Sequence, residues 1–249
     1  MKKFFCLSLV VFAIVFFGCM SDGVDNTIVL PHHPDYYPVD LCVDFVDGTT
    51  REHYGKSKKQ FCDPRDGNKY VYVTIGTGAT AQTWMAENLN YKAINSRCYG
   101  DNPANCAIYG RLYNWATAMA GTKYRGVCPS GWHIPSDADW NVLMKSVNPS
   151  CTDNSNCAGA GKKLKANSSL WNSNGKGTDD FGFSALPGGH GNSDGRFELV
   201  GEHGDWCSTS EISGSEVTYW FMDTGEDVIY DDKDLYDKSN LLSVRCLRN

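Results

Sequence analysis

The cysteines of this chain constrain its fold more than any other feature, because an export signal precedes them. Lys2 and Lys3 are followed by an apolar run from Phe4 to Phe17, then Gly18, Cys19 and the polar Ser21, Asp22 and Gly23. A basic start, a short apolar stretch and a small residue at the cut describe a secretory signal over residues 1–18. The run is shorter than the ~20 apolar residues a membrane-spanning helix needs. Of the eleven cysteines, Cys6 lies in the signal and Cys19 at its end. The remaining nine, Cys42, Cys62, Cys98, Cys106, Cys128, Cys151, Cys157, Cys207 and Cys246, read as a disulfide framework, since exported proteins keep such bonds. An odd number leaves at least one thiol over or paired between chains, and with one free the rest allow roughly 900 pairings. Two pairs are local: Cys98 with Cys106 and Cys151 with Cys157 bracket turn-forming residues. Each small ring would contribute about 2–2.5 kcal/mol through loop entropy. There is no Cys-x-x-Cys pair, so zinc is a poor reading.

Phe16-Phe17-Gly18-Cys19 resembles a bacterial lipobox, with Phe16 where such boxes usually carry Leu. Cys19 would then be acylated with diacylglycerol and anchor the mature protein to a membrane. A plain signal with an incidental Cys19 is the alternative. Residues 19–40 contain Pro31, Pro34 and Pro38 without apolar periodicity and read as a tether. His32 and His33 within it read as a solvated pair rather than metal ligands. Met20 stands where Asp commonly retains lipoproteins at an inner membrane, so the expected location is the outer membrane, facing the cell surface. The formal charge is −6, and loss of Lys2 and Lys3 makes it −8. An acidic surface argues against nucleic acid, whose phosphates call for a basic footprint.

Residues 41–69, with Val43, Phe45 and Asp-Gly turns, suggest two short extended pieces in a small extension closed by Cys42 and Cys62. Tyr70 to Gly76 alternates β-branched and aromatic residues and predicts a strand, with Gln82 to Asn88 returning beside it. Leu112, Trp115, Ala116 and Met119 fall at helical spacing and predict a helix over 109–120, stopped by Gly121. Ser136, Asp137 and Asp139 form a cap and acidic first turn for a second helix carrying Trp140, Leu143, Met144 and Val147. A short third helix is expected over 160–167. Beyond Leu170, short strands around 181–189, 204–211, 219–222 and 243–246 are joined by long loops, and the whole reads as α+β.

Five motifs occur in order: Gln82-Thr83-Trp84-Met85-Ala86-Glu87-Asn88-Leu89-Asn90, Tyr109-Gly110-Arg111-Leu112-Tyr113-Asn114-Trp115, Cys128-Pro129-Ser130-Gly131-Trp132-His133, Asp179 through Gly189, and Ser243-Val244-Arg245-Cys246. Together they resemble the Fibrobacter succinogenes major paralogous domain family over about residues 70–249. Cys-Pro-x-Gly-Trp before a helix and a final Val-Arg-Cys strand are also similar to C-type lectin-like domains and the formylglycine-generating enzyme family. That likeness implies a C-type lectin-like fold with two main helices, short antiparallel strands and long loops, and a Cys128–Cys246 bond. With the local pairs and Cys42–Cys62, Cys207 is then the free thiol, expected to be a buried small hydrophobe.

Three chemistries compete. Lectin-like domains often use calcium, and Asp227, Asp231, Asp232, Asp234 and Asp237 cluster near the C-terminus as weak candidates. The Glu-Pro-Asn or Gln-Pro-Asp tripeptide is missing, and an exposed acidic loop explains them better; no cofactor is expected, calcium being the one open possibility. An aromatic platform of Trp171, Trp206, Tyr219, Trp220, Tyr230 and Tyr236 would stack on sugar faces. Catalysis is the weakest: adjacent Asp179 and Asp180 would point to opposite faces of a strand, and His133, His190 and His203 lack an accompanying nucleophile motif. A formylglycine-generating activity needs a cysteine pair that Cys207 alone does not supply. The expected function is a non-catalytic surface lipoprotein binding polysaccharide or envelope glycan. An envelope protein-interaction or structural role is the alternative, and a degenerate formylglycine-generating-like enzyme the third.

Overall fold

Alternation of bulky residues from Tyr70 to Ile75 builds the strand around which the first sheet assembles. The computed structural model describes residues 40–121, 125–152, 157–232 and 236–249. The signal, Cys19, the tether histidines and Asp234 lie outside the described residues. In chain order the elements are β1 (Thr50–His53), β2 (Lys56–Cys62), β3 (Lys69–Ile75), β4 (Gln82–Met85), α1 (Pro103–Tyr109), β5 (Leu112–Tyr113), α2 (Trp115–Ala118), β6 (Trp132–His133), α3 (Asp137–Val147), β7 (Cys157–Ala158), α4 (Ala160–Leu164), β8 (His190–Gly191), β9 (Phe197–Glu198), β10 (His203–Glu211), β11 (Val217–Asp223), β12 (Val228–Asp232), β13 (Leu242–Ser243) and β14 (Leu247–Arg248). One six-stranded sheet has the order β1-β2-β3-β4-β14-β6, a second β5-β13-β10-β11-β12-β7, and β8 pairs with β9. Pairing is antiparallel except between β10 and β13. The result is a mixed α+β architecture in which the four disulfides are Cys42–Cys62, Cys98–Cys106, Cys128–Cys246 and Cys151–Cys157. Four such bonds indicate an oxidising, extracytoplasmic compartment. Among the described residues no helix is long and apolar enough to cross a membrane.

Residues 41–69 contain two extended pieces, β1 and β2, closed by Cys42–Cys62, and β2 pairs with β3 from Lys59↔Tyr72 to Cys62↔Lys69, so the extension is the edge of the first sheet. The helix expected over 109–120 is broken. α1 ends at Tyr109, Leu112 and Tyr113 are extended, and only Trp115–Ala118 is helical again. Tertiary pairing overrides the helical stripe here, because Leu112 exchanges backbone hydrogen bonds with Arg97 and pairs with Ser243. Gly110 marks the break at φ +78, and a Cβ there would lie 2.8 Å from the Cβ of Asn88. The side chain of Asn114 then caps the short α2 by accepting from the amide of Thr117 at 2.8 Å.

α3 forms as its sequence predicts. Ser136 Oγ accepts from the Asp139 amide and Asp139 Oδ2 from the Ser136 amide, a reciprocal cap. Its apolar stripe, Trp140, Leu143, Met144 and Val147, is buried. Trp140 packs against Trp84, Trp206 and Trp220 with ring centroids 4.8, 6.1 and 5.7 Å away. The short third helix ends at Leu164. Of the late strands, the segment 181–189 is irregular instead, because buried Asp179 and Ser184 tie it into a loop. Ser184 donates to Asp179 from its amide at 2.7 Å and its hydroxyl at 2.6 Å.

A buried polar spine crosses this core. Arg245, on the link between β13 and β14, donates from Nε and Nη2 to Asn88 Oδ1 at 3.1 and 2.8 Å, and from Nη1 to the carbonyl of Phe183 at 2.5 Å. Trp206 Nε1 donates to the same Asn88 oxygen at 2.9 Å. Asn88 Nδ2 donates to the Tyr109 carbonyl and the Ser243 hydroxyl. The guanidinium lies 4.4 Å from the Phe183 ring centroid. Burial lowers the Arg245 pKa to about 9, the carboxylates of Asp179 and Glu87 opposing the shift. Beside it Lys58 of β2 donates to Ser184 Oγ and lies 3.7 Å from Asp179 Oδ2. Four of the five sequence motifs therefore meet at one carboxamide or within one residue's reach of it. Replacing Asn88 by Ala is expected to cost about 3 kcal/mol by stranding a buried guanidinium. The check is a urea transition with unchanged slope; a shift worth under about 1 kcal/mol would contradict the role given to Asn88.

Candidate functional site

Strand β11 alternates: Trp220 and Met222 point into the core, while Tyr219 and Phe221 are half-exposed on the other face. The period of two along a strand sends successive side chains to opposite sides. In register, His203 lies opposite Asp223, Asp205 opposite Phe221, and Cys207 opposite Tyr219. Tyr230 of β12 lies opposite Phe221. One face of the second sheet therefore carries His203, Phe221, Tyr219 and Tyr230 side by side.

These rings form a near-parallel stack. Phe221 lies 5.5 Å from His203 at an interplanar angle of 6°, 4.8 Å from Tyr230 at 14° and 5.6 Å from Tyr219 at 22°. Tyr236 closes one end, 4.1 Å from Tyr219, and His190 meets its ring edge-on at 6.1 Å. Offset stacking of this kind fixes ring orientation while leaving part of each ring to solvent. The strip is thus a prearranged aromatic surface on a sheet rather than on loops.

A charged cluster borders the strip. Asp205 is buried between two histidines: His190 Nδ1 is 3.1 Å from Oδ2 and His203 Nδ1 is 3.7 Å from Oδ1. His203 Nε2 is also 2.9 Å from Asp223 Oδ2. The Asp205 carboxylate raises the His203 pKa above its usual 6.5, against the opposing effect of burial. Burial alone would raise Asp205, but His190 and His203 outweigh it and hold the carboxyl below its ordinary 3.8. Burial and the charges of Glu226 and Asp223 raise the Tyr230 phenol.

Of the expected platform residues, Tyr219, Tyr230 and Tyr236 lie in the strip, but Trp206 and Trp220 are 0% exposed and Trp171 is 3% exposed. All three belong to the core, where Trp220 Nε1 donates to Asp137 Oδ1 and Trp171 Nε1 to the Ala185 carbonyl. They cannot stack on a ligand, because Trp206 and Trp220 point inward from β10 and β11 and Trp171 is buried in the segment between α4 and β8. Phe221 and His203 were the residues that sequence reasoning missed. The alternation of Tyr219, Trp220, Phe221 and Met222 carried the signal that would have found them.

Among the described residues the acidic side chains do not converge as a calcium site. Asp227 pairs with Lys162 at 3.7 Å, Asp237 accepts from the amide and hydroxyl of Ser239, and Asp231 sits opposite Trp220 on the core side of β12. Asp232 pairs with Tyr219 through the backbone of the same strand. Among the described residues no group of three or more His, Cys, Asp or Glu side chains could hold a metal. His133 lies in the other sheet, with Nδ1 2.7 Å from Asn249 Oδ1. Cys207 is buried, and burial pushes its thiol up to about 12.

Two outcomes follow from this geometry. A raised His203 stabilises fully below its ordinary 6.5 and loses that contribution as pH rises through its folded value. A lowered Asp205 stabilises fully above its ordinary 3.8 and loses that contribution as pH falls through its folded value. The stability difference between wild type and His203→Gln should therefore shrink as pH rises through the folded His203 value; a difference that does not change with pH would contradict the linkage. In a soluble form with Cys19→Ala, Cys207 should resist thiol reagents at neutral pH until the protein is denatured. Reaction in the folded state would show that it is accessible.

Residues 73–248 match the family described as the Fibrobacter succinogenes major domain. No curated protein and no solved structure matches the chain.

Proposed function

The chain belongs to the Fibrobacter succinogenes major domain family, and as a member of it we propose that it is a non-catalytic binding module for polysaccharide or envelope glycan, displayed on the cell surface. The observation that carries this reading is the half-exposed aromatic strip of His203, Phe221, Tyr219 and Tyr230 on one face of the second sheet. Sugar rings offer apolar C–H faces that pack on aromatic rings, and hydroxyls that the Tyr230 phenol and the Asp223 carboxylate can meet. Stacking needs little ordering on binding where the rings are already held in place. The four disulfides suit a protein that works outside the cytoplasm.

Acylated Cys19 would tether the domain to the outer membrane through residues 20–40. A C-type lectin-like fold is supported by the Cys128–Cys246 bond, which ties the segment before α3 to the last strand. Binding without calcium is the expectation, since Asp227 and Asp237 are otherwise engaged.

Retention on insoluble cellulose, xylan and chitin, with and without chelator, tests the proposal. Phe221→Ala and Tyr230→Ala should each weaken binding by about 0.5–1.5 kcal/mol, and chelator should change nothing. Absence of retention on every glycan, or full retention by the folded double variant, would sink it.

A further inference from the structure

A cleft of about 400 Å³ lies between the β1–β2 turn and the C-terminal end of α1. Its size falls in the range of small-ligand sites. One wall comes from the extension, with His53 and Tyr54; the other comes from Glu87, Asn88 and Asn90 after β4, and Gly110 closes the helix end. This place is separate from the aromatic strip, which is built on β10, β11 and β12.

Its polar groups are held rigidly. Glu87 Oε2 accepts from the Val71 amide at 2.7 Å, and Oε1 accepts from Arg51 Nη2 at 2.6 Å. The Lys58 ammonium can only donate, so His53 Nδ1 accepts from it at 3.1 Å and the ring proton sits on Nε2, 3.5 Å from Glu87 Oε1. Burial, reinforced by the charges of Lys58, Arg51 and Arg245, lowers His53 to about 3, so the imidazole is neutral at physiological pH. Glu87 is balanced by Arg51, leaving no uncompensated carboxylate at the cleft floor.

Tyr54 is the independent observation. It has φ +49 and is followed by Gly55 at φ +73, so both residues of this two-residue hairpin turn lie in the left-handed region. Such turns take Asn, Asp or Gly, and an aromatic side chain there is strained. Strained residues held in place by their surroundings concentrate at ligand sites. Tyr54 is half-buried and lines the cleft, yet its hydroxyl, like the carboxamide of Asn90, makes no hydrogen bond to a described residue.

We infer that this cleft is a second ligand site, which holds an uncharged, polyhydroxylated group of monosaccharide size between Tyr54, Glu87 and Asn90. A neutral ligand suits walls whose carboxylate, Glu87, is already paired with Arg51 and whose Lys69 ammonium lies over the Phe45 ring. The Tyr54 phenol and the Asn90 carboxamide supply unspent donors and acceptors for hydroxyls, and Ile108 and Leu186 supply an apolar side for a sugar's C–H face. The ligand class rests on the glycan reading of the strip; the residues do not. Because the extension provides one wall, the cleft exists only when residues 50–56 are packed on the family domain.

The test is saturation-transfer NMR and calorimetry on the mature chain with free glucose, xylose, galactose and N-acetylglucosamine. Variants Tyr54→Phe, which keeps the ring, and Asn90→Ala are compared with Phe221→Ala/Tyr230→Ala, all checked for an unchanged melting transition. At least one sugar should bind wild type and the strip variant alike, and bind Asn90→Ala about tenfold more weakly. No binding of any free sugar to wild type would overturn the inference, as would binding that the strip variant loses and the cleft variants keep. Retention on insoluble glycans, measured in parallel, reports on the strip alone, so the two proposals fail separately.

Discussion

One buried guanidinium organises the molecule. Arg245 sits where the chain leaves the second sheet at β13 and enters the first at β14, so the same few residues belong to both. A cation that deep is tolerated only if its donors are met, and Asn88, Phe183 and Ser184 supply oxygens to it while the Phe183 and Trp206 rings lie against it. Each of those partners is thereby fixed in place. Asn88 cannot turn without losing Trp206 and Tyr109, and Gly110 must be glycine because it passes within contact of Asn88. The Cys128–Cys246 bond then locks the residue next to Arg245. Motifs far apart in sequence are thus the parts of one coordination problem.

What could be read in advance followed how local its cause was. β3 shows itself by alternation and α3 by a cap followed by an apolar stripe. The Cys98–Cys106 and Cys151–Cys157 rings show themselves by the turn-formers they enclose. Cys128–Cys246 came from resemblance and not from spacing. The helix expected over 109–120 failed because Leu112 is claimed by Arg97 and Ser243, partners that no window of neighbouring residues contains. Asp231 likewise looks like part of a solvent loop until β12 is paired with β11, when it falls opposite a core tryptophan.

The candidate site was legible only in part, for a reason that lies in the tryptophans themselves. Size and apolar area made Trp206 and Trp220 the obvious platform, yet the same properties draw them inside, where each buries its ring and still finds an acceptor for its indole N–H. The outward positions went to smaller or more polar rings. His203, Tyr219 and Tyr230 tolerate water at their edges, and Phe221 survives among them by being stacked on three sides. Because the strip's inner face is the core's Trp206 and Trp220 layer, its rigidity is borrowed from the most densely packed part of the protein.

The edge position of the β1–β2 hairpin has a consequence for solubility. β3 pairs on one side with β4 and on the other with β2, and its residues Tyr70, Val71 and Tyr72 are buried. A chain cut just before β3 would leave this apolar strand with a free row of amides and carbonyls, a template for pairing with other copies. The native boundary strand is instead the short Thr50-Arg51-Glu52-His53, alternately exposed and charged. The extension is therefore the molecule's guard against edge-to-edge self-association.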